Sequence, residues 1–284
     1  MFIYCAFDKD QDMPRYAGEA LVSATSLRRH TDKPIHLATN NRRFVERHAR
    51  RPAWPFDNVT MVEGDDAPKT FKVRAIANMD GDCVFLDGDT FIFADLSRVF
   101  EFSPFDLAGV REPARNALTS IEAAIEYEAS LKYALNSGVL FIRGGFAQTL
   151  SERWLAHYLR RLERLGPTAF DQPSLRASLS LLDADVLVLP NNYNFRLQFG
   201  GLVAGPVFVV HTHYPHDLAK LIKRDFPAED VDRLINHVGR INDEFAFETL
   251  PPVRGGSLYK LDLKRTGWRG PPLHKRVWRA LKDP

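Results

Sequence analysis

The sequence predicts an α/β protein, and three observations point that way. Short apolar runs alternate with helical patterns through the first half of the chain. One of these runs, Cys83-Val84-Phe85-Leu86, is apolar at every position, as expected of a strand buried on both faces of a sheet. The chain has 284 residues, 45% of them hydrophobic, which is enough to bury the core of one large domain.

Taken in order, residues 2–7 read as the first strand. Residues 14–30 follow as a helix, because Ala17, Leu21, Ala24 and Leu27 recur at helical spacing. A strand is expected over 35–39, a strongly basic helix over 41–50, a third strand over 59–62 and a helix over 69–79. The run 83–86 then ends in Asp87-Gly88-Asp89, and Phe91-Ile92-Phe93 is apolar again. Runs at 138–142 and 186–189 extend the sheet, with helices expected over 146–165 and 174–182. A last apolar run, 207–210, leads into His211. No internal repeat, low-complexity segment or clear linker precedes Pro251. The expected organisation is therefore one domain over 1–250 and a basic tail over 251–284.

Composition narrows the function classes. Lysine and arginine number 38 against 36 acidic residues, so the net charge of +2 gives no general argument for nucleic-acid binding. The two cysteines, Cys5 and Cys83, sit in apolar runs, which excludes a disulfide framework and suits a reducing compartment. The opening residues lack a basic n-region and a long apolar h-region, and no stretch approaches the roughly 18 to 20 apolar residues of a membrane span. A cytoplasmic protein is expected.

Asp-x-Asp is a weak pattern, and it recurs here at Asp8/Asp10, Asp10/Asp12, Asp80/Asp82, Asp183/Asp185 and Asp230/Asp232. Asp87/Asp89 differs by placement, since both follow directly on an apolar strand and ligands of open α/β sheets bind beyond the carboxyl ends of the strands. Two carboxylates two residues apart in an extended turn can hold a divalent cation and leave coordination positions for substrate phosphates. Gly88 between them lets a phosphate approach the backbone closely. The competing reading is an acidic capped turn.

The order of several short segments resembles the GT-A glycosyltransferases, and specifically the retaining enzymes of glycosyltransferase family 8. These segments are Ala6-Phe7-Asp8, Ser26-Leu27, Lys72, Phe85-Leu86-Asp87-Gly88-Asp89, Asn136-Ser137-Gly138-Val139-Leu140, Asp171-Gln172-Pro173-Ser174-Leu175, Leu189-Pro190 with Tyr193-Asn194, and Val209-Val210-His211 ahead of Lys220. The resemblance implies a single Rossmann-like GT-A domain with a mixed, mainly parallel central sheet flanked by helices. It implies that Ala6, Phe7 and Asp8 line a nucleotide-base site. Asp87, Asp89 and His211 would hold Mn2+ or Mg2+ on the donor diphosphate, with Lys72, Gly88 and Lys220 at the donor phosphates or sugar. Asn136, Ser137, Asp171 and Gln172 would bind the transferred sugar, the last two nearest the chemistry. The implied partners are a nucleotide-sugar donor, a UDP-sugar foremost, and a carbohydrate or lipid-linked acceptor.

The sequence departs from the family pattern after the late histidine. It reads His211-Thr212-His213-Tyr214-Pro215-His216, and Lys220 is followed by Leu221. His213 is thus a rival metal ligand. Simpler roles also stand beside the implied ones: Asp171 as the N-cap of the next helix, Asn136 as a turn residue, Lys72 as a solvated helix charge, His211 as a polar strand end. Three other functions are weighed: a non-catalytic sugar-nucleotide or glycan-binding domain of the same fold, a metal hydrolase using His211-x-His213, and a haloacid-dehalogenase-type phosphatase. The phosphatase motif wants Thr or Val four residues after its first Asp, where this chain has Phe91. The tail carries basic residues interleaved with Tyr259, Trp268 and Trp278, a mixture that suits peripheral contact with an anionic membrane. Equally open is a basic segment packed back on the domain.

Overall fold

A computed structural model of the chain describes residues 1–63, 68–112, 134–166, 169–196, 203, 205–212 and 220–245. The strands among them are β1 (Phe2–Ala6), β2 (Ile35–Thr39), β3 (Asn58–Met61), β4 (Cys83–Leu86), β5 (Thr90–Ile92), β6 (Leu107–Arg111), β7 (Leu135–Ile142), β8 (Val186–Leu189), β9 (Phe195–Arg196) and β10 (Val209–His211). The helices are α1 (Arg15–Arg28), α2 (Arg42–His48), α3 (Pro68–Ala77), α4 (Gly144–Leu165), α5 (Gln172–Leu181) and α6 (Ala228–Phe245).

Seven strands form the central sheet in the order β3-β2-β1-β4-β7-β6-β8. Strands β3, β2, β1 and β4 are mutually parallel, β7 is antiparallel to both its neighbours, and β8 is parallel to β6. The mixed, mainly parallel sheet is therefore present. At the central strands β1, β4 and β7 both faces are buried, since successive side chains point to opposite sides and both sets are covered. Phe2, Tyr4, Val84, Leu86, Val139 and Phe141 enter the core beneath α1 and α6, while Ile3, Phe85, Leu140 and Ile142 enter a second core with Trp154 of α4 and Leu175 of α5.

The inverted β7 positions the site. Because it runs against β4, the start of β7 reaches the edge where β4 ends, and Asp87 N donates to Gly138 O at 2.7 Å. A three-stranded sheet, β5-β10-β9, lies just past that edge, with Thr90 of β5 opposite His211 of β10. Helix α6 anchors the approach to β10: Val231, Leu234, Ile235, Val238 and Ile241 are buried at helical spacing, and Asn242 bonds both the N–H and the carbonyl of Val207, each at 2.8 Å. No helix among the described residues is long and apolar enough to cross a membrane.

The sequence-based expectations for β1 to β5 and α1 to α5 meet these elements within a few residues. Strand β7 begins at Leu135 rather than at 138, because polar Asn136 and Ser137 continue it. Strands β6 and β9, helix α6 and the 3-10 turn Leu96–Glu101 are additional. Residue 213 and the segment 251–284 lie outside the described residues.

Candidate active site

The acidic turn is held in place from below. Thr90 Oγ1 donates to Asp87 O at 2.8 Å and is met by Ser23 Oγ at 2.8 Å, which in turn lies 3.0 Å from the Tyr4 hydroxyl, with Thr90, Ser23 and Tyr4 all buried. Asp89 O accepts from Thr212 N at 2.8 Å, tying the turn to β10. A carboxylate oxygen of Asp87, one of Asp89 and a ring nitrogen of His211 consequently lie within 4.8 Å of one another. His211 Nε2 is 3.2 Å from Asp89 Oδ1. Burial opposes charge on this imidazole, but the Asp89 and Asp87 carboxylates outweigh it and raise its pKa above the ordinary value. The cluster attracts positive charge.

Glycine makes the convergence sterically feasible. A Cβ at Gly138 would stand 2.4 Å from His211 Cε1 and 2.6 Å from Asp87 Oδ2. Gly88 is packed for a second reason, since a Cβ there would stand 3.0 Å from Ala20 N in α1. Glu19, on the same turn of α1, is buried, and that burial together with the nearby Asp89 charge pushes its carboxyl up to about 7.

A second cluster adjoins the first. Lys72 of α3 is buried, with Nζ 3.2 Å from Asp87 Oδ1, 3.2 Å from Ser137 Oγ and 3.6 Å from Asp171 Oδ2. It also lies over the rings of Phe85 and Trp154. It is not a solvated charge. Asp171 occupies the N-cap position of α5, yet its side chain caps nothing. Its carboxylate accepts from Ser137 Oγ at 3.2 Å, while its backbone oxygen accepts from Trp154 Nε1 at 3.0 Å. Gln172 Oε1 accepts from Ser137 N and Asn136 Nδ2, each at 3.3 Å.

Sequence reasoning quoted Asn194 in the Tyr193-Asn194 segment without giving it a role and did not single out Glu112, the two residues that join these clusters. Asn194 lies between His211 and Asn136, and Glu112 at the end of β6 is paired with Arg196 Nη1 at 2.6 Å and accepts from Asn136 Nδ2 at 2.7 Å. Glu112 carried a weaker form of the signal of Asp87, an acidic residue just beyond a strand whose apolar run is interrupted by Arg111.

Ala6, Phe7 and Asp8, the residues expected at a base site, lie at the same sheet edge. Ala6 is buried at the end of β1, and Phe7 stacks on Phe71 with centroids 5.0 Å apart. Asp8 is buried, and its carboxylate accepts from Tyr16 N (2.7 Å), Ala17 N (3.3 Å) and Asn41 Nδ2 (3.0 Å). It thus anchors the start of α1. Lys220 is exposed at the start of a helical turn.

No protein-family model matches the chain, and no curated protein sequence matches it. Solved structures do. The galactosyltransferase LgtC in complex with donor and acceptor sugar analogs is 14% identical, with a TM-score of 0.52 over 82% of this chain and 95% of that one. Mouse xyloside xylosyltransferase 1 in its apo form is 15% identical, with a TM-score of 0.52 over 74% and 96%. The apo-form glycosyltransferase GlyE of Streptococcus pneumoniae TIGR4 is 15% identical, with a TM-score of 0.53 over 84% and 63%. The chain has the GT-A fold shared with these glycosyltransferases.

Proposed function

We propose that the chain is a metal-dependent glycosyltransferase that transfers a sugar from a nucleotide-diphosphate sugar, foremost a UDP-sugar, to a glycan, lipid-linked or other acceptor, with retention, as in glycosyltransferase family 8. The observation that carries this reading is the convergence of Asp87, Asp89 and His211 at the carboxyl edge of a GT-A sheet. The donor set fits a divalent cation: two carboxylates and one imidazole converge, and Gly138 keeps the space between them clear of a Cβ. Hard oxygens suit Mn2+ or Mg2+, and the imidazole favours Mn2+. When bound, such an ion acts as a Lewis acid on the leaving diphosphate.

The remaining steps fall to the chain's own residues. Lys72 adds a buried positive charge beside Asp87, and Asn136, Ser137 and Gln172 supply polar groups for the transferred sugar. Lys220 is assigned to the donor phosphates, and Ala6, Phe7 and Asp8 to the base. Asp171 is engaged by Lys72 and Ser137, which weakens it as a nucleophile. This supports a front-face displacement: the bond from the anomeric carbon to the phosphate oxygen breaks, the acceptor oxygen forms the new bond on the same face, and its proton passes to the departing phosphate oxygen. Asp171 and Gln172 would shield the cationic sugar, so that positioning and electrostatics supply most of the rate.

The tail over 251–284 carries nine basic residues against two acidic ones, and this composition supports a peripheral contact with the anionic inner face of a membrane, near a lipid-linked acceptor, for a protein working in the cytoplasm. Calorimetry with UDP and Mn2+, run beside UDP-sugar hydrolysis, tests the function. Metal-dependent binding is expected in the wild type and absent in Asp87→Ala and Asp89→Ala with the fold retained; equal affinity in all three proteins overturns the metal assignment.

A further inference from the structure

We infer that Asn194 and Asn136 form an amide relay whose polarity is fixed at its far end and which keeps a proton on His211 Nδ1, leaving Nε2 as the nitrogen that faces Asp87 and Asp89. The inference deepens the proposed metal site and rests on that reading for its purpose, though not for its geometry.

The relay starts from two groups that cannot change roles. The backbone N–H of Gly138 can only donate, and it reaches Asn136 Oδ1 at 3.0 Å. The Glu112 carboxylate, paired with Arg196, can only accept, and it lies 2.7 Å from Asn136 Nδ2. Turning the Asn136 amide over would set N–H against N–H at one end and oxygen against oxygen at the other. With Asn136 Oδ1 fixed as an acceptor, the group 2.8 Å from it on Asn194 must be the amide nitrogen. Asn194 then presents Oδ1 to His211 Nδ1, also at 2.8 Å. An amide oxygen accepts only, so Nδ1 bears the hydrogen.

Burial makes this polarity costly to violate. Glu112, Asn136, Asn194 and His211 are each no more than 6% exposed, so water cannot replace a mismatched partner. The same relay reaches Gln172, whose Oε1 shares Asn136 Nδ2 at 3.3 Å. Asn194 and Asn136 are thus positioning residues. They set which imidazole nitrogen is available to a cation and join that nitrogen to the sugar-binding amide.

The test uses the full chain, 15N-labelled on histidine and free of metal near neutral pH, with Mn2+ affinity measured in parallel by calorimetry. In the wild type a hydrogen-bonded, one-bond-coupled Nδ1 proton is expected for His211. Asn194→Leu should lose that signal and bind Mn2+ about 10–100-fold more weakly, the range that partners behind a ligating histidine command. An unprotonated Nδ1 in the wild type, or wild-type Mn2+ affinity in a folded Asn194→Leu, overturns the relay. If Asn194→Leu does not melt cooperatively, the wild-type spectrum decides, and an Nδ1 without its proton overturns the relay. A wild-type chain with the Nδ1 proton in place that binds no Mn2+ supports the relay and sinks the metal-dependent reading instead.

Discussion

Lys72 Nζ lies 3.2 Å from Asp87 Oδ1, inside a pocket floored by Phe85 and Trp154. Burial disfavours the ammonium, but Asp87 and Asp171 outweigh that penalty, and the Lys72 pKa is raised above its ordinary 10.5. Lys72→Met leaves two neighbouring carboxylates without their shared cation. We expect a loss of about 2 kcal/mol by urea denaturation, below the range for fully buried pairs because Asp87 is a third exposed. A group with a raised folded-state pKa stabilises fully below its unfolded value and loses that contribution as pH rises through the folded one. The gap between wild type and Lys72→Met should therefore stay constant through neutral pH and narrow only above about 10.5. Lys72→Arg should not restore donor binding, since a planar guanidinium cannot replace a compact ammonium among three partners.

Gly138→Ala tests the convergence of the ligands sterically rather than chemically. The new Cβ would require His211 Cε1, 2.4 Å away, and Asp87 Oδ2, 2.6 Å away, to retreat. Mn2+ affinity should fall at least about tenfold, since that displacement of two ligands together costs more than 1.4 kcal/mol. Unchanged affinity by calorimetry would mean that the cation does not sit between these side chains.

How legible was all this in the sequence? Strands β1 to β5 and the helices between them follow from apolar periodicity, and Asp87/Asp89 from its place after a strand. Strand β7 was cut short because Asn136 and Ser137 break the apolar run, although both are buried. Local pattern fails there because those positions serve the site rather than the core. Helix α6 was readable in principle from Val231, Leu234, Ile235, Val238 and Ile241. The inversion of β7 was not readable, because nothing local encodes strand direction; without it, Gly138 and Asp87 have no reason to meet. Asp8 shows the converse: a residue assigned to a ligand spends its carboxylate on α1 and Asn41.

His48 provides a pH test away from the site. It is buried against Phe44 and Phe226 and flanked by Asp225, Arg47 and Arg51. Burial, reinforced by the Arg51 charge, pushes its imidazole down to about 4 despite Asp225. The unfolded chain takes up this proton near 6.5 and the folded chain only near 4, so stability should decline as pH falls between those values. Asp225, itself held below the usual carboxylate value, adds a further loss at lower pH. Glu19, pushed up to about 7, binds its proton on folding over the same range and offsets this loss, so the His48 contribution is read as the advantage of wild type over His48→Gln in thermal melts, which should shrink as pH falls from about 6.5 to about 4.

The basic tail predicts salt-sensitive membrane association. Flotation of the full chain with anionic liposomes should exceed that with neutral ones, weaken as salt rises, and vanish on truncation after Leu250. A full chain that ignores anionic liposomes at low salt assigns the tail to the fold or to a protein partner.

Strands β5 and β10 are three residues each, and they pair residues 121 positions apart in the chain, Thr90 with His211. So brief a ladder over so long a separation repays little of the loop-closure entropy it costs. A slip of one residue would also turn His211 to the opposite face. We expect this joint, which delivers the histidine, to open more readily than the central sheet, so that a cation bound there would work as a rivet on folding itself. Amides of β10 should exchange with solvent through a local opening that Mn2+ suppresses, while those of β1 and β4 stay protected with or without it.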